Sequence, residues 1–108
     1  MAITELTRRI IEIIQAIPHA NVASYSQIAR LAGCPNGAQQ VVRVLHSCSK
    51  DYALPWHRVV KANGAIALKM GGGAEQQKSL LRSEGVKVDH KMTIDMKLYA
   101  WNPDKEHE

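Results

Sequence analysis

No part of this 108-residue chain approaches the roughly 20 consecutive apolar residues that a membrane-spanning helix needs. Residues 1–17 alternate charge with isoleucine in a helical pattern, unlike the basic start and apolar run of a secretion signal, so an intracellular protein is expected. Cysteine is scarce. Cys34 and Cys48 stand far apart without the nearby Cys or His partners of a zinc site, and such a pair reads as reduced thiols with a structural role. No metal and no cofactor is expected. Neither an internal repeat nor a linker interrupts the chain, which predicts a single domain over 1–108, its core running from about 3 to 101 and 102–108 forming a polar tail. The chain also lacks a heptad pattern or a long apolar surface helix through which copies would pair, which points to a monomer.

What is present is ordinary in amount and uneven in placement. Hydrophobic residues make up 45% and charged residues 22%, so neither disorder nor a membrane protein is indicated. The net charge of +4 and the pI near 9.3 favour a polyanionic partner, although many basic domains bind no nucleic acid.

Ile3, Leu6, Ile10, Ile13, Ile14 and Ile17 recur at spacings of three and four, predicting an amphipathic helix that ends before Pro18. Ser24 followed by Gln27 matches a capping box and opens a short second helix through Ile28, Ala29, Leu31 and Ala32 to Gly33. Pro35-Asn36-Gly37 breaks the chain, and Asn36 is placed to cap a third helix from about Ala38 to Cys48 with Val41, Val42, Val44 and Leu45 inward. Two helices across a tight turn make a helix-turn-helix candidate. Beyond it, Val59–Ala62 and Ala65–Leu68 flank Asn63-Gly64, a strong hairpin signal, so a β-ribbon or wing is predicted. A last helix over Ala74–Glu84, with Leu80 and Leu81 inward, and short extended stretches near Val86–Val88 and Leu98–Trp101 complete a mainly α, winged helix-turn-helix-like fold.

Pro55-Trp56-His57-Arg58-Val59 resembles the Pro-Cys-His-Arg-Val signature of the O6-alkylguanine-DNA alkyltransferases, with tryptophan in the place of the nucleophile. The likeness runs from about Ile3 to Gly85 and takes in Ile17-Pro18, Val22–Ala29, Asn63-Gly64, Leu80-Leu81 and Glu84-Gly85 in the family's order and spacing. Alkyl transfer needs a polarisable nucleophile that a base can deprotonate, and an indole offers only an N–H donor and an apolar face. The chain is therefore most similar to the alkyltransferase-like branch of that family. The resemblance implies the fold of the alkyltransferase DNA-binding domain, no enzymatic activity, minor-groove insertion of a helix, and nucleotide flipping. It also implies double-stranded DNA containing alkylated guanine and nucleotide excision repair proteins as partners, and a cytoplasmic, nucleoid-associated place in a bacterium or a nuclear one in a eukaryote.

The same resemblance assigns roles by position. Trp56 would wall the lesion pocket, contributing roughly 150–250 Å² of burial, with Tyr25, Val59, Val60 and Lys69 around it. Tyr25 would also press on a phosphate and help rotate the nucleotide outward. Gln39 stands where the family carries an arginine that fills the vacated base stack, and it lacks that residue's charge and planar guanidinium. Arg43, one turn further on, and Arg58 join it as DNA-contact candidates. His57 and Glu84 match the family's base and the carboxylate that orients it, and with Trp56 between substrate and base they have no thiol to activate. Cys48 stands where the family has a helping asparagine.

Two other readings remain at this point. One is a winged-helix regulator of undamaged sites, and the other is a residual enzyme using Cys48 or Cys34 as acceptor, or His57 with Glu84 to activate water.

Overall fold

In the computed structural model, which describes residues 4–103, the isoleucine stripe folds as helix α1, Glu5–Ala16, capped by the Thr4 hydroxyl accepting from the Thr7 amide. Ile10, Ile14 and Ile17 are fully buried as the spacing predicts, Ile11 joins them at 4% exposure, and Ile3 lies outside the described residues. A short strand β1, Ala23–Ser24, follows. Ser24 then serves as N-cap of α2, Tyr25–Leu31, accepting from the Gln27 amide at 3.1 Å. Only half of the capping box forms: the Gln27 amide side chain reaches away to the Trp101 carbonyl at 2.8 Å and ties the end of the chain to α2.

Helix α3, Ala38–Cys48, begins where the sequence predicts, but Asn36 does not cap it. Gly37 occupies the cap position after a tight turn in which its amide donates to the Cys34 carbonyl at 2.8 Å, so Asn36 falls one residue too early. Helices α1, α2 and α3 close one core of isoleucine, valine and alanine. Burial of each large aliphatic side chain there stabilises the fold by about 1.5–3 kcal/mol.

The wing is where expectation and structure part. A 3-10 turn, Trp56–Arg58, leads into β2, Val59–Val60, which pairs in parallel with β1 in the register Ala23 to Val59 and Ser24 to Val60. The Asn63-Gly64 turn does form, with the Lys61 amide bonded to the Ala65 carbonyl at 2.9 Å. Its second arm, however, bridges antiparallel to Thr93 rather than returning along β2. The reason is burial. β2 is needed between two cores, so its hydrogen bonds go to β1, and Ile66 turns toward Ile94 instead.

Alternation along β2 divides the interior. Val59 packs into the three-helix core, and Val60 faces a second core of Val22, Ile66, Ala74, Leu81, Val86, Val88 and Ile94. Helix α4, Ala74–Ser83, covers that second core with Leu81, while Leu80 is half-buried. The stretch from Leu98 is not extended throughout as predicted: Met96–Tyr99 forms a one-turn helix, α5, capped by Asp95, and leaves Leu98 at 69% exposure. Ala100 then bridges Val22, which locks the segment onto β1. Of the predicted polar tail, 104–108 lies outside the described residues. No helix among the described residues is long and apolar enough to cross a membrane.

Gly64 is the residue on which the second core's entry depends. Its φ of +90° is a left-handed conformation, its carbonyl accepts from the Ile94 amide at 2.9 Å, and a Cβ added there would overlap the Ile94 carbonyl oxygen. Gly64→Ala is expected to cost more than about 2 kcal/mol of unfolding free energy in urea. A loss within about 0.5 kcal/mol would contradict this account of the turn.

Candidate lesion-binding site

The 3-10 turn carrying Trp56, His57 and Arg58 is held from behind by one carboxylate. Glu84, just past the end of α4, accepts from His57 Nε2 at 2.6 Å, from Arg58 Nη2 at 2.7 Å and from the Ala20 amide at 2.9 Å. Arg58 Nε adds bonds at 3.1 and 3.2 Å to its two oxygens. Arg58 Nη1 continues to the Ile17 carbonyl at 2.8 Å, so the end of α1, the turn before β1, the signature loop and the end of α4 meet at one point. Side-chain exposures of 12%, 16% and 8% for His57, Arg58 and Glu84 place this network largely out of water. Burial alone would push the Glu84 carboxyl up, but hydrogen bonds from Arg58, the Ala20 amide and His57 outweigh it and hold the pKa at about 2. The carboxylate is thus ionised and only accepts, which puts the shared hydrogen on His57 Nε2.

On the other side of the turn lies a cleft of about 310 Å³, at the small end of ligand pockets. Tyr25 at the start of α2, Val42, Leu45 and His46 on α3, and Ser49 beyond it form one wall. Trp56 and Val59 form the second, and Leu68 and Gln77 complete it. Trp56 is half-buried, its ring edge-on to His57 with centroids 6.2 Å apart. Burial raises the pKa of the Tyr25 phenol, so it remains a neutral donor. The cleft is mainly apolar, with polar groups from Tyr25, His46, Ser49 and Gln77.

The residues singled out in the sequence are thereby sorted. Tyr25, Trp56 and Val59 come together in the cleft, and Val60 does not: successive strand residues point to opposite faces, so it is buried in the second core. Lys69 is exposed and does not line the cleft, where its neighbour Leu68 does. Arg58 is engaged by Glu84 and Ile17 and so is not free for a phosphate. Gln39 is exposed on α3, one and two turns before Val42 and His46 on the row that leads into the cleft. Arg43 is off that row, in a separate groove with Thr7, Gln40 and Ser47. Neither cysteine lines the cleft, and both are free thiols. Sequence reasoning missed His46, Ser49, Leu68 and Gln77 as cleft residues and read Val42 and Leu45 only as the inward face of α3. A polar residue at a core-facing position, three residues after Ala74 and four before Leu81, was the available signal for Gln77.

The family profile of the 6-O-methylguanine DNA methyltransferase, DNA binding domain, matches residues 5–86. The chain belongs to this family. It is 41% identical over 95 residues to the DNA base-flipping protein of Escherichia coli, covering 88% of this chain and 73% of that one. It is 31% identical over 108 residues to alkyltransferase-like protein 1 of Schizosaccharomyces pombe, covering 95% and 100%. The crystal structure of S. pombe Atl1 in complex with damaged DNA containing O6-carboxymethylguanine superposes with a TM-score of 0.84 at 29% identity, over 95% of this chain and all 100% of that one. The mainly helical single domain with a two-stranded sheet matches the fold of Atl1.

The folded-state pKa of Glu84 lies below that of an unfolded glutamate, so its contribution to stability is complete above about pH 5 and is lost as pH falls toward 2. Unfolding free energy in urea is expected to drop by about 2–3 kcal/mol across that window from this group. Glu84→Gln should lower stability at neutral pH and flatten the profile. A variant with the parent's acid slope would show that another carboxylate carries the effect.

Proposed function

We propose that this protein recognises O6-alkylguanine in double-stranded DNA by drawing the modified nucleotide out of the duplex into the cleft beside Trp56, and that it transfers no group. The observation that carries this reading is Trp56 itself. It occupies the nucleophile's place in the signature and borders the cleft together with Tyr25 and Val59. An indole gives an alkylated base a flat apolar surface and gives an alkyl group nothing to attack. The base-flipping protein of E. coli and the Atl1 complex with damaged DNA support the same reading.

In this account α3 enters the minor groove, with Gln39 filling the stack behind the departing nucleotide and Tyr25 pressing on the backbone beside it. Extruding a base costs a few kcal/mol, less where alkylation has weakened its pairing, so a damaged site selects itself in part. Each buried methylene of the adduct adds about 0.8 kcal/mol without any requirement for an attacking trajectory. Arg58 contributes by holding the loop rather than by touching DNA. Because the lesion is left in place, the bound complex is a marker that nucleotide excision repair proteins would act upon.

The test is titration of labelled duplexes with and without one O6-methylguanine at matched salt. The lesion duplex is expected to bind at least about tenfold more tightly, with the protein mass unchanged afterwards. Trp56→Ala should weaken lesion binding by about tenfold and leave the plain duplex unaffected, whereas Tyr25→Ala should weaken both. Equal affinity of the parent protein for the two duplexes would refute the proposal.

A further inference from the structure

A second concave place lies past the end of α4 and shares no lining residue with the cleft beside Trp56: a groove of about 440 Å³ bordered by Arg82, Gly85, Val86, Lys87 and Val88. Gly85, left-handed at φ +91°, turns the chain out of the helix, and residues 86–88 then run on without a turn or a bend. Val86 and Val88 are 1% and 5% exposed and belong to the second core, so the Lys87 side chain between them takes the outer side. The backbone alternates as well. The Val86 amide donates to the Leu81 carbonyl at 3.0 Å and the Val88 carbonyl accepts from Arg82 Nη2 at 3.3 Å, so both valines turn main-chain groups toward α4. The N–H and C=O of Lys87 have no hydrogen-bond partner among the described residues, and in an extended chain they lie on the opposite edge from those of its two neighbours.

An open main-chain donor and acceptor on one residue is the unit with which a second extended chain pairs. Charge decides which chain. Arg82 and Lys87 are exposed cations at the groove, the Glu84 carboxylate is occupied by Arg58 and His57, and Asp89 Oδ1 accepts from the amides of Lys91 and Thr93. A second copy of this chain paired antiparallel about the same residue would set Lys87 against Lys87, which like charge disfavours. A DNA strand would meet the cations, but a phosphodiester has no N–H for the Lys87 carbonyl. We propose that residues 85–88 are a docking edge for an extended acidic segment of a partner protein, which pairs with the Lys87 main chain and sets its carboxylates against Arg82 and Lys87. Occupancy of this edge does not depend on the base-flipping reading above, because groove and cleft have no lining residue in common.

The probe is a fluorescein-labelled peptide that alternates glutamate with threonine, titrated with the whole protein at low salt and followed by anisotropy. It is expected to bind at least about tenfold more tightly than the same peptide with lysine for glutamate. A copy with N-methylated main-chain amides, which keeps the charge and removes the donors, should bind about tenfold more weakly than the unmethylated peptide. In a proton–nitrogen correlation spectrum the acidic peptide should shift the amides of Gly85, Lys87 and Val88 most. Lys87→Glu, at an exposed position, should weaken peptide binding by about tenfold and leave the urea midpoint unchanged. Equal binding of the N-methylated peptide would mean attraction by charge alone and would overturn the docking edge. Shifts centred on Tyr25 and Trp56, or no binding of the acidic peptide at millimolar concentration, would overturn it too. So would a plain duplex that shifted the Lys87 and Val88 amides where the peptide did not, since the groove would then belong to DNA. The peptide comparisons need no variant and so stand whatever Lys87→Glu does to folding.

Discussion

The Glu84 carboxylate is the constraint on which the rest of the site depends. Four segments distant in sequence converge on it or on its Arg58 partner, and each brings a group that would be costly to leave alone out of water: a guanidinium, an imidazole N–H, a backbone amide and, through Arg58, a backbone carbonyl. Removing one member of such a network leaves the others buried and unpaired, which costs more than the net worth of any single bond. The family resemblance assigns His57 and Glu84 to the activation of a thiol. With Trp56 in that place they have none to activate, and the geometry still gives them full employment as the brace behind the signature turn.

The opposite side of the same turn owes its shape to two residues of strand. A pair of strands this short contributes few hydrogen bonds, but its parallel register decides which valine faces which core. It also sets the first residue of α2, Tyr25, immediately after β1, so the tyrosine and the signature turn share one rim. α3 then closes the cleft with Val42, Leu45 and His46, while its deeper row of Val41 and Val44 holds it to the three-helix core. One helix thus serves two surfaces, because residues three and four apart recur on the same side.

The helices were legible because local signals and burial agree in them. The isoleucine stripe before Pro18, Ser24 at the start of α2 and the breaks around α3 and α4 each state an element and its end. The wing was not legible, and for a definite reason. Asn63-Gly64 specifies a turn, which forms, but a turn does not say whether its second arm pairs with its first or with a segment thirty residues on. That choice was made by long-range burial, in the bridge from Ala65 to Thr93 and the contact of Ile66 with the second core. Leu98 failed similarly: Asp95 caps a helical turn over a stretch that composition alone reads as extended. Of the residues that the resemblance assigns to the pocket, Trp56, Tyr25 and Val59 line the cleft, Val60 faces the second core because successive strand residues point to opposite sides, and Lys69 is exposed beside Leu68. Gln77 had no motif to mark it and was visible only as a polar residue on an inward helical face.

Gln77 and Glu84 together explain why a bulky aromatic can stand at the cleft without disordering it. The turn that carries Trp56 is gripped by its side chains through Glu84 and by its carbonyls through Gln77, both from α4 or its end. A turn held through both its side chains and its carbonyls has little freedom left to lose, so the binding of whatever packs against it is offset less by ordering the loop. A nucleophile in the same position would need this rigidity for its line of attack. In the function proposed above an indole needs it for a different reason: a flat surface stabilises a packed base only while it stays where the base will be. The same brace would suit reaction and recognition alike, and in that proposal the side chain at its tip separates the two.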